Sequence, residues 1–104
     1  EEQAPVIVDC LSVWLTRIMD QTGAWEQTDG WHDHLAGHVE ELVDAVTRTT
    51  REVVLVSNEV GQGVVPDTAS GRLFRDELGR LNARIAAACD EAWWCEAGIP
   101  RRLG

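Results

Sequence analysis

Residues 53–82 read VVLVSNEVGQGVVPDTASGRLFRDELGRLN, and the order of chemistry along them decides the fold. A β-branched run, Val53 to Ser57, predicts a strand, and a carboxylate, Glu59, follows at its C-terminal end. A loop bearing Gly61 and Gly63 comes next, closed by Pro66, and a helix then opens with Arg72 and Arg75. A strand that delivers an acid, then a flexible turn and a helix, is how parallel α/β domains build sites for phosphorylated ligands.

The flanking segments fit the same architecture. Pro5 to Asp9 (PVIVD) is a short apolar run of the kind expected of a buried parallel strand. Leu11, Trp14, Leu15, Ile18 and Met19 then follow helical spacing, and Gln21 to Gly30 reads as a polar loop. Leu35, Val39, Leu42, Val43 and Val46 form the apolar stripe of a second helix, from Trp31 to about Thr50. Beyond the glycine loop, Asp67 or Thr68 is positioned to cap a third helix with the stripe Phe74, Leu78, Leu81 and Ile85. Ala92 to Glu96 (AWWCE) reads as a last strand, and Gly98 to Gly104 as a turn or tail. This order predicts one α/β domain, a mainly parallel sheet with flanking helices.

Bulk properties narrow the function classes. The chain has 104 residues, 44% hydrophobic and 26% charged, which suits one soluble domain with a modest core. Its formal charge of −9 opposes nonspecific binding to nucleic acid or an anionic membrane, yet permits a local phosphate site. No apolar run approaches the roughly 18–20 residues of a membrane span. Cys10, Cys89 and Cys95 form no CxxC pair, and buried, reduced thiols in a cytoplasmic protein are expected. The chain starts at Glu1 and enters a strand within a few residues, which suggests a fragment of a longer protein.

Each candidate residue has a plainer reading beside the functional one. Asp9 stands where α/β nucleotide sites place a Mg²⁺-holding acid, but an Asp at a strand end is often only a helix N-cap. Glu59 should share the same sheet edge, and two acids converging there strengthen each other, because that edge is where ligands bind. Arg72 and Arg75 are positioned to meet an anion. Equally, Arg72–Asp76 and Asp76–Arg80 are the i,i+4 pairs of an ordinary solvated helix face. His32, His34 and His38 invite a metal reading, for which no further ligand has suitable spacing. Trp93 and Trp94 must point to opposite faces of a strand. One is expected to fill the core and the other to need a covering element or another subunit.

Assembled, these residues resemble the C-terminal part of the bifunctional adenosylcobinamide kinase / adenosylcobinamide-phosphate guanylyltransferase family. The matching stretches are VIVDCLSVWLT (Val6 to Thr16), VVLVSNEVGQGVVP (Val53 to Pro66), RLFRDELGRLN (Arg72 to Asn82) and AACDEAWWCEAGIP (Ala87 to Pro100). The resemblance implies a P-loop, RecA-like fold and two reactions of cobalamin assembly. One phosphorylates adenosylcobinamide. The other carries GMP from GTP, through an enzyme histidine, to adenosylcobinamide phosphate. It further implies GTP or ATP with Mg²⁺ as cofactors and a homo-oligomer, a trimer in such families. Asp9 and Glu59 become the expected catalytic residues, Asp9 with the Mg²⁺, and Arg72 and Arg75 join them as nucleotide-binding residues.

The chain departs from that pattern in one decisive respect: GxxxxGK[ST] does not occur in it. The family's guanylylated histidine precedes the strand ending at Asp9, so His32, His34 and His38 do not correspond to it. Ala83 and Gly104 replace a common Gln and Lys. Residues 1–104 are therefore expected to be a partial P-loop domain lacking the N-terminal P-loop strand. Such a chain should show no kinase activity alone, at most weak nucleotide binding, and an unpaired edge beside Asp9. The competing readings are a noncatalytic remnant that binds a partner chain or a corrinoid, and a metal-binding domain built on the histidine cluster.

Overall fold

A computed structural model describes residues 4–59 and 68–103. In chain order these form β1 (Val6–Asp9), α1 (Leu11–Thr22), α2 (Trp31–Arg48), β2 (Val53–Val56), α3 (Ala69–Ala88), β3 (Ala92–Glu96) and β4 (Ile99–Leu103). The expected loop residues Gly61, Gly63 and Pro66, and the possible cap Asp67, lie outside the described residues.

β1 and β2 pair in parallel, with Val6 opposite Val53 and Asp9 opposite Val56. The N–H of Val6 donates to the carbonyl of Glu52 (2.8 Å), and the Arg51 Nε donates to the carbonyl of Ala4 (2.8 Å), which fastens the start of the ladder. Both strands alternate in burial. Val8 and Leu55 pack on the helical core, while Ile7 (70% exposed), Val54 (51%) and Val56 (41%) face outward. Strands buried on both faces were the expectation; among the described residues only one face is covered. An all-apolar strand of four residues reads alike in both situations, so the alternation was hidden from sequence.

Each helix ends for a local reason. α1 stops at Gly23, whose left-handed backbone (φ 74°) lets its N–H reach the carbonyl of Met19. A side chain there would also collide with the Thr28 hydroxyl, which donates to the Gly23 carbonyl (3.2 Å). α3 begins at Thr68, whose hydroxyl accepts from the N–H of Gly71 (3.0 Å), the expected cap. The core lies among the three helices: Leu11, Leu15 and Met19 from α1, Leu35 and Val43 from α2, and Leu78, Leu81 and Ile85 from α3. Phe74, expected in the buried stripe, is only half-buried and stacks on Trp25 with ring centroids 6.2 Å apart.

The C-terminal segment overturns two expectations. β3 does not extend the parallel sheet; it pairs only with β4, in a separate antiparallel hairpin where Glu96 faces Ile99. Residues 99–103 are thus a strand rather than a tail. Ala97 (φ 53°) and Gly98 (φ 77°) are both left-handed, the two-residue turn that matches strand twist and closes tight hairpins. Pro100 sits in β4, an outer strand, where its missing N–H breaks no ladder. Neither Trp93 nor Trp94 joins the helical core: Trp93 is 53% exposed with its Nε1 donating to Glu91 (3.0 Å), and Trp94 is half-buried with an unpartnered Nε1. Cys10, Cys89 and Cys95 are free thiols, but Cys95 is exposed rather than buried, since it faces outward on the hairpin.

These packing differences reverse a ranking that side-chain size alone suggests. Leu78→Ala, at a fully enclosed position, should cost about 3–5 kcal/mol, and Phe74→Ala, at a half-open one, about 2 kcal/mol. Urea unfolding midpoints of the two variants check the order, and a larger loss for Phe74→Ala contradicts it.

Candidate functional site

The parallel register governs where the candidate acids lie. Asp9 ends β1 opposite Val56, the last residue of β2, so both strands leave the sheet at one edge. Glu59 follows Val56 after only Ser57 and Asn58, and both Asp9 and Glu59 are exposed. The N-cap position of α1 is Cys10, which makes no side-chain capping bond. Asp9 is therefore not the helix cap that a strand-end Asp often is.

A polar network surrounds this edge. The Asn82 side chain, from the middle of α3, accepts from the Ser57 hydroxyl (2.5 Å) and donates through Nδ2 to the Asn58 carbonyl (2.9 Å). Asn58 in turn donates through its Nδ2 to the Ser12 hydroxyl (3.1 Å), and Ser12 lies 2.9 Å from the Cys10 sulfur. Sequence reasoning passed over Ser12, Ser57, Asn58 and Asn82 as site residues. The available signal was an Asn within an otherwise well-formed helix, since Asn competes with the helical backbone and is a weak helix former.

The network tunes the neighbouring thiol. The Ser12 hydroxyl, followed by backbone N–H groups, favours the Cys10 thiolate and holds its pKa below the ordinary thiol value. Burial, reinforced by the Asp90 charge, pushes the Cys89 thiol up.

The arginines lie further away. Arg72 and Arg75 belong to the opening turns of α3, ten and seven residues before Asn82. At the helical rise this places them about 15 and about 10 Å along the axis from the contact with Ser57 and Asn58. The expected Asp76–Arg80 pair is replaced by Arg80 on Glu77 (2.5 Å), because Glu77 is nearly buried and its charge needs a partner. His32 and His34 are exposed, His38 lies 3.6 Å from Glu41, and His32 packs edge-on against Trp31. Among the described residues no group of three or more His, Cys, Asp or Glu side chains could hold a metal ion. A groove of about 190 Å³ runs between α2 and α3, lined by Leu35, Val39, Leu81 and Arg84 among others, and it includes none of the candidate acids or Arg72 and Arg75. Among the described residues no helix is long and apolar enough to cross a membrane.

The described residues define an α/β unit with a small parallel sheet and three helices. The particular family follows from comparison with known proteins. The family model described as cobinamide kinase / cobinamide phosphate guanyltransferase matches residues 1–103, and the chain belongs to that family. It is 34% identical over 99 residues to the bifunctional adenosylcobalamin biosynthesis protein CobU of Escherichia coli (strain K12), covering 90% of this chain and 55% of that protein. To the CobU of Salmonella typhimurium it is 36% identical over 100 residues, again 90% and 55%. To the bifunctional adenosylcobalamin biosynthesis protein CobP of Pseudomonas aeruginosa it is 34% identical over 98 residues, 94% and 52%. The chain spans about half the length of the curated relatives it matches.

The opposite shifts of two half-buried thiols make a direct chemical prediction. Below the ordinary thiol pKa, Cys10 carries the larger thiolate fraction, so limiting iodoacetamide should modify it before Cys89, with the preference shrinking as pH rises. Ser12→Ala should slow Cys10 alkylation at least about threefold at neutral pH by removing the main stabilising bond. Peptide mass spectrometry reads both rates, and equal labelling of Cys10 and Cys89 contradicts the assignment.

Proposed function

We propose that this chain supplies the acidic half of the nucleotide site in an enzyme of cobalamin assembly. In that reading the fold is a partial P-loop, RecA-like domain. The enzyme phosphorylates adenosylcobinamide and transfers GMP from GTP to the phosphorylated product, in the cytoplasm. The observation that carries the reading is the parallel register, in which Asp9 ends β1 opposite Val56, the last residue of β2 and three before Glu59, within stretches matched by the family model.

The donor chemistry fits the metal. Asp9 and Glu59 are exposed carboxylates, the hard oxygen ligands Mg²⁺ takes beside phosphates while retaining several waters. Asp9 would hold the ion, directly or through water, and Glu59 would lie near the nucleotide and its ion. When bound, Mg²⁺ supplies charge neutralisation of the triphosphate. Arg72 and Arg75, in the opening turns of α3, would bind the nucleotide's anionic end only if it extends beyond the acid-bearing edge.

The lysine and backbone cradle of a GxxxxGK[ST] loop do not occur in this sequence, so the phosphates need a second segment. Exposed Trp93 and the outward face of Ile7, Val54 and Val56 offer apolar surface for further subunits, consistent with a homo-oligomer such as a trimer. A noncatalytic role, binding a partner chain or corrinoid, is the second reading, and the missing phosphate loop favours it for the isolated chain.

Mixing the chain with a P-loop-bearing segment of a relative separates the two. GTP- or ATP-dependent phosphorylation of adenosylcobinamide should appear in the mixture, and Asp9→Ala should reduce it at least about a hundredfold, in the range of a lost charge-neutralising group. The thermal midpoint of Asp9→Ala should stay near that of the parent chain, because Asp9 caps no helix. Corrinoid binding without turnover supports the noncatalytic reading, and an Asp9→Ala variant that unfolds marks the residue as structural.

A further inference from the structure

We infer that Asn82 and Ser12 are positioning residues that hold the exit of β2, so that Glu59 is carried beside Asp9. The inference rests on the nucleotide reading above and adds to it the side chains that set the site's geometry.

The need for such a device follows from the ladder. Parallel pairing ends at Asp9 opposite Val56, so no strand partner fixes the backbone over Ser57 and Asn58, the residues that lead into Glu59. An unpaired exit of this kind samples many conformations, and a carboxylate at its end is poorly placed for in-line chemistry. Asn82 substitutes for the missing strand. Its carboxamide engages one residue through the side chain and the next through the backbone: it accepts from the Ser57 hydroxyl at 2.5 Å and donates to the Asn58 carbonyl at 2.9 Å.

Ser12 completes the link on the other side. Asn58 donates to its hydroxyl at 3.1 Å, and that hydroxyl is 2.9 Å from the Cys10 sulfur. The network begins at Cys10, the residue after Asp9, and ends at Asn58, the residue before Glu59. It therefore ties both acid-bearing backbones together through three elements, α1, the β2 exit and α3. Ser12 is 8% exposed, so its side of the bond to the exposed Asn58 is closed to competing water. The cost in helix propensity of placing Asn at the middle of α3 also finds its reason here: a local rule is broken where a site is built.

The experiment uses the whole chain mixed with a P-loop-bearing segment of a relative, with Mn²⁺·GTP as the probe followed by electron paramagnetic resonance, and amide hydrogen exchange of residues 57–59 in parallel. Asn82→Ala should speed exchange at 57–59 at least about fivefold, in the range of one lost hydrogen bond, and weaken Mn²⁺·GTP binding about tenfold. Glu59→Gln should weaken binding as well, and the double variant should lose no more than Glu59→Gln alone, because Asn82 acts only through Glu59. Ser57→Ala removes a single bond of the network and carries the same comparison if Asn82→Ala does not fold. Faster exchange with unchanged affinity, or losses that add in the double variant, overturns the positioning role. If the unsubstituted chain, mixed with the P-loop-bearing segment, binds no Mn²⁺·GTP, the nucleotide reading fails by itself, and the clamp then stands or falls on exchange: unaltered protection of residues 57–59 in Asn82→Ala overturns it.

Discussion

The parallel pairing of β1 with β2 is the constraint on which the rest of this structure depends, although it involves only four residues from each strand. Its register decides two things together. It sends both strands out of the sheet at one edge, and it turns Val8 and Leu55 inward while Ile7 and Val54 face out. A slip of one residue in either strand would exchange the faces of all its side chains and expose the residues that now seat the sheet on the helices. The burial of Val8 and Leu55 therefore holds the edge in place, and through it the relation between Asp9 and Glu59.

Stability and function are distributed unevenly over the molecule. The enclosed side chains come from α1, α2 and α3, which pack on one another, while the sheet offers one apolar face to them and another to solvent. The β3–β4 hairpin pairs with itself and leaves Trp93 largely exposed. Asn82 and Ser12 link the acid-bearing edge to the helical body by hydrogen bonds. Large apolar surfaces left open beside a well-packed core are the usual mark of contact with further protein.

Membership of the cobinamide kinase / cobinamide phosphate guanyltransferase family and the geometry of the sheet edge concern different aspects of the chain. The first concerns the order of residues along the chain; the second, their arrangement in space. They meet at the segment from Val53 to Asn82, where a strand, an acid and a helical Asn lie within one family-matched stretch. The Cys10 thiol belongs to the same neighbourhood, its lowered pKa reflecting the Ser12 hydroxyl that also receives Asn58.

The sequence by itself determined whatever depends on neighbours a few residues apart. Helical stripes such as Leu78, Leu81 and Ile85, the Thr68 cap, the strands ending near Asp9 and Val56, and the family likeness were all legible, because periodicity and capping are local. The hairpin closed by Ala97 and Gly98 was legible in principle, yet a single Gly before Pro100 reads equally as a tail. Only the tertiary structure decided that the described residues cover one face of the sheet, that Phe74 is half-open, and that Asn82 reaches Ser57 across 25 residues of chain. Those outcomes depend on which surfaces meet after the chain has closed on itself. No pattern within a short window carries that information, since the same apolar strand or the same polar side chain suits several surroundings until packing selects one.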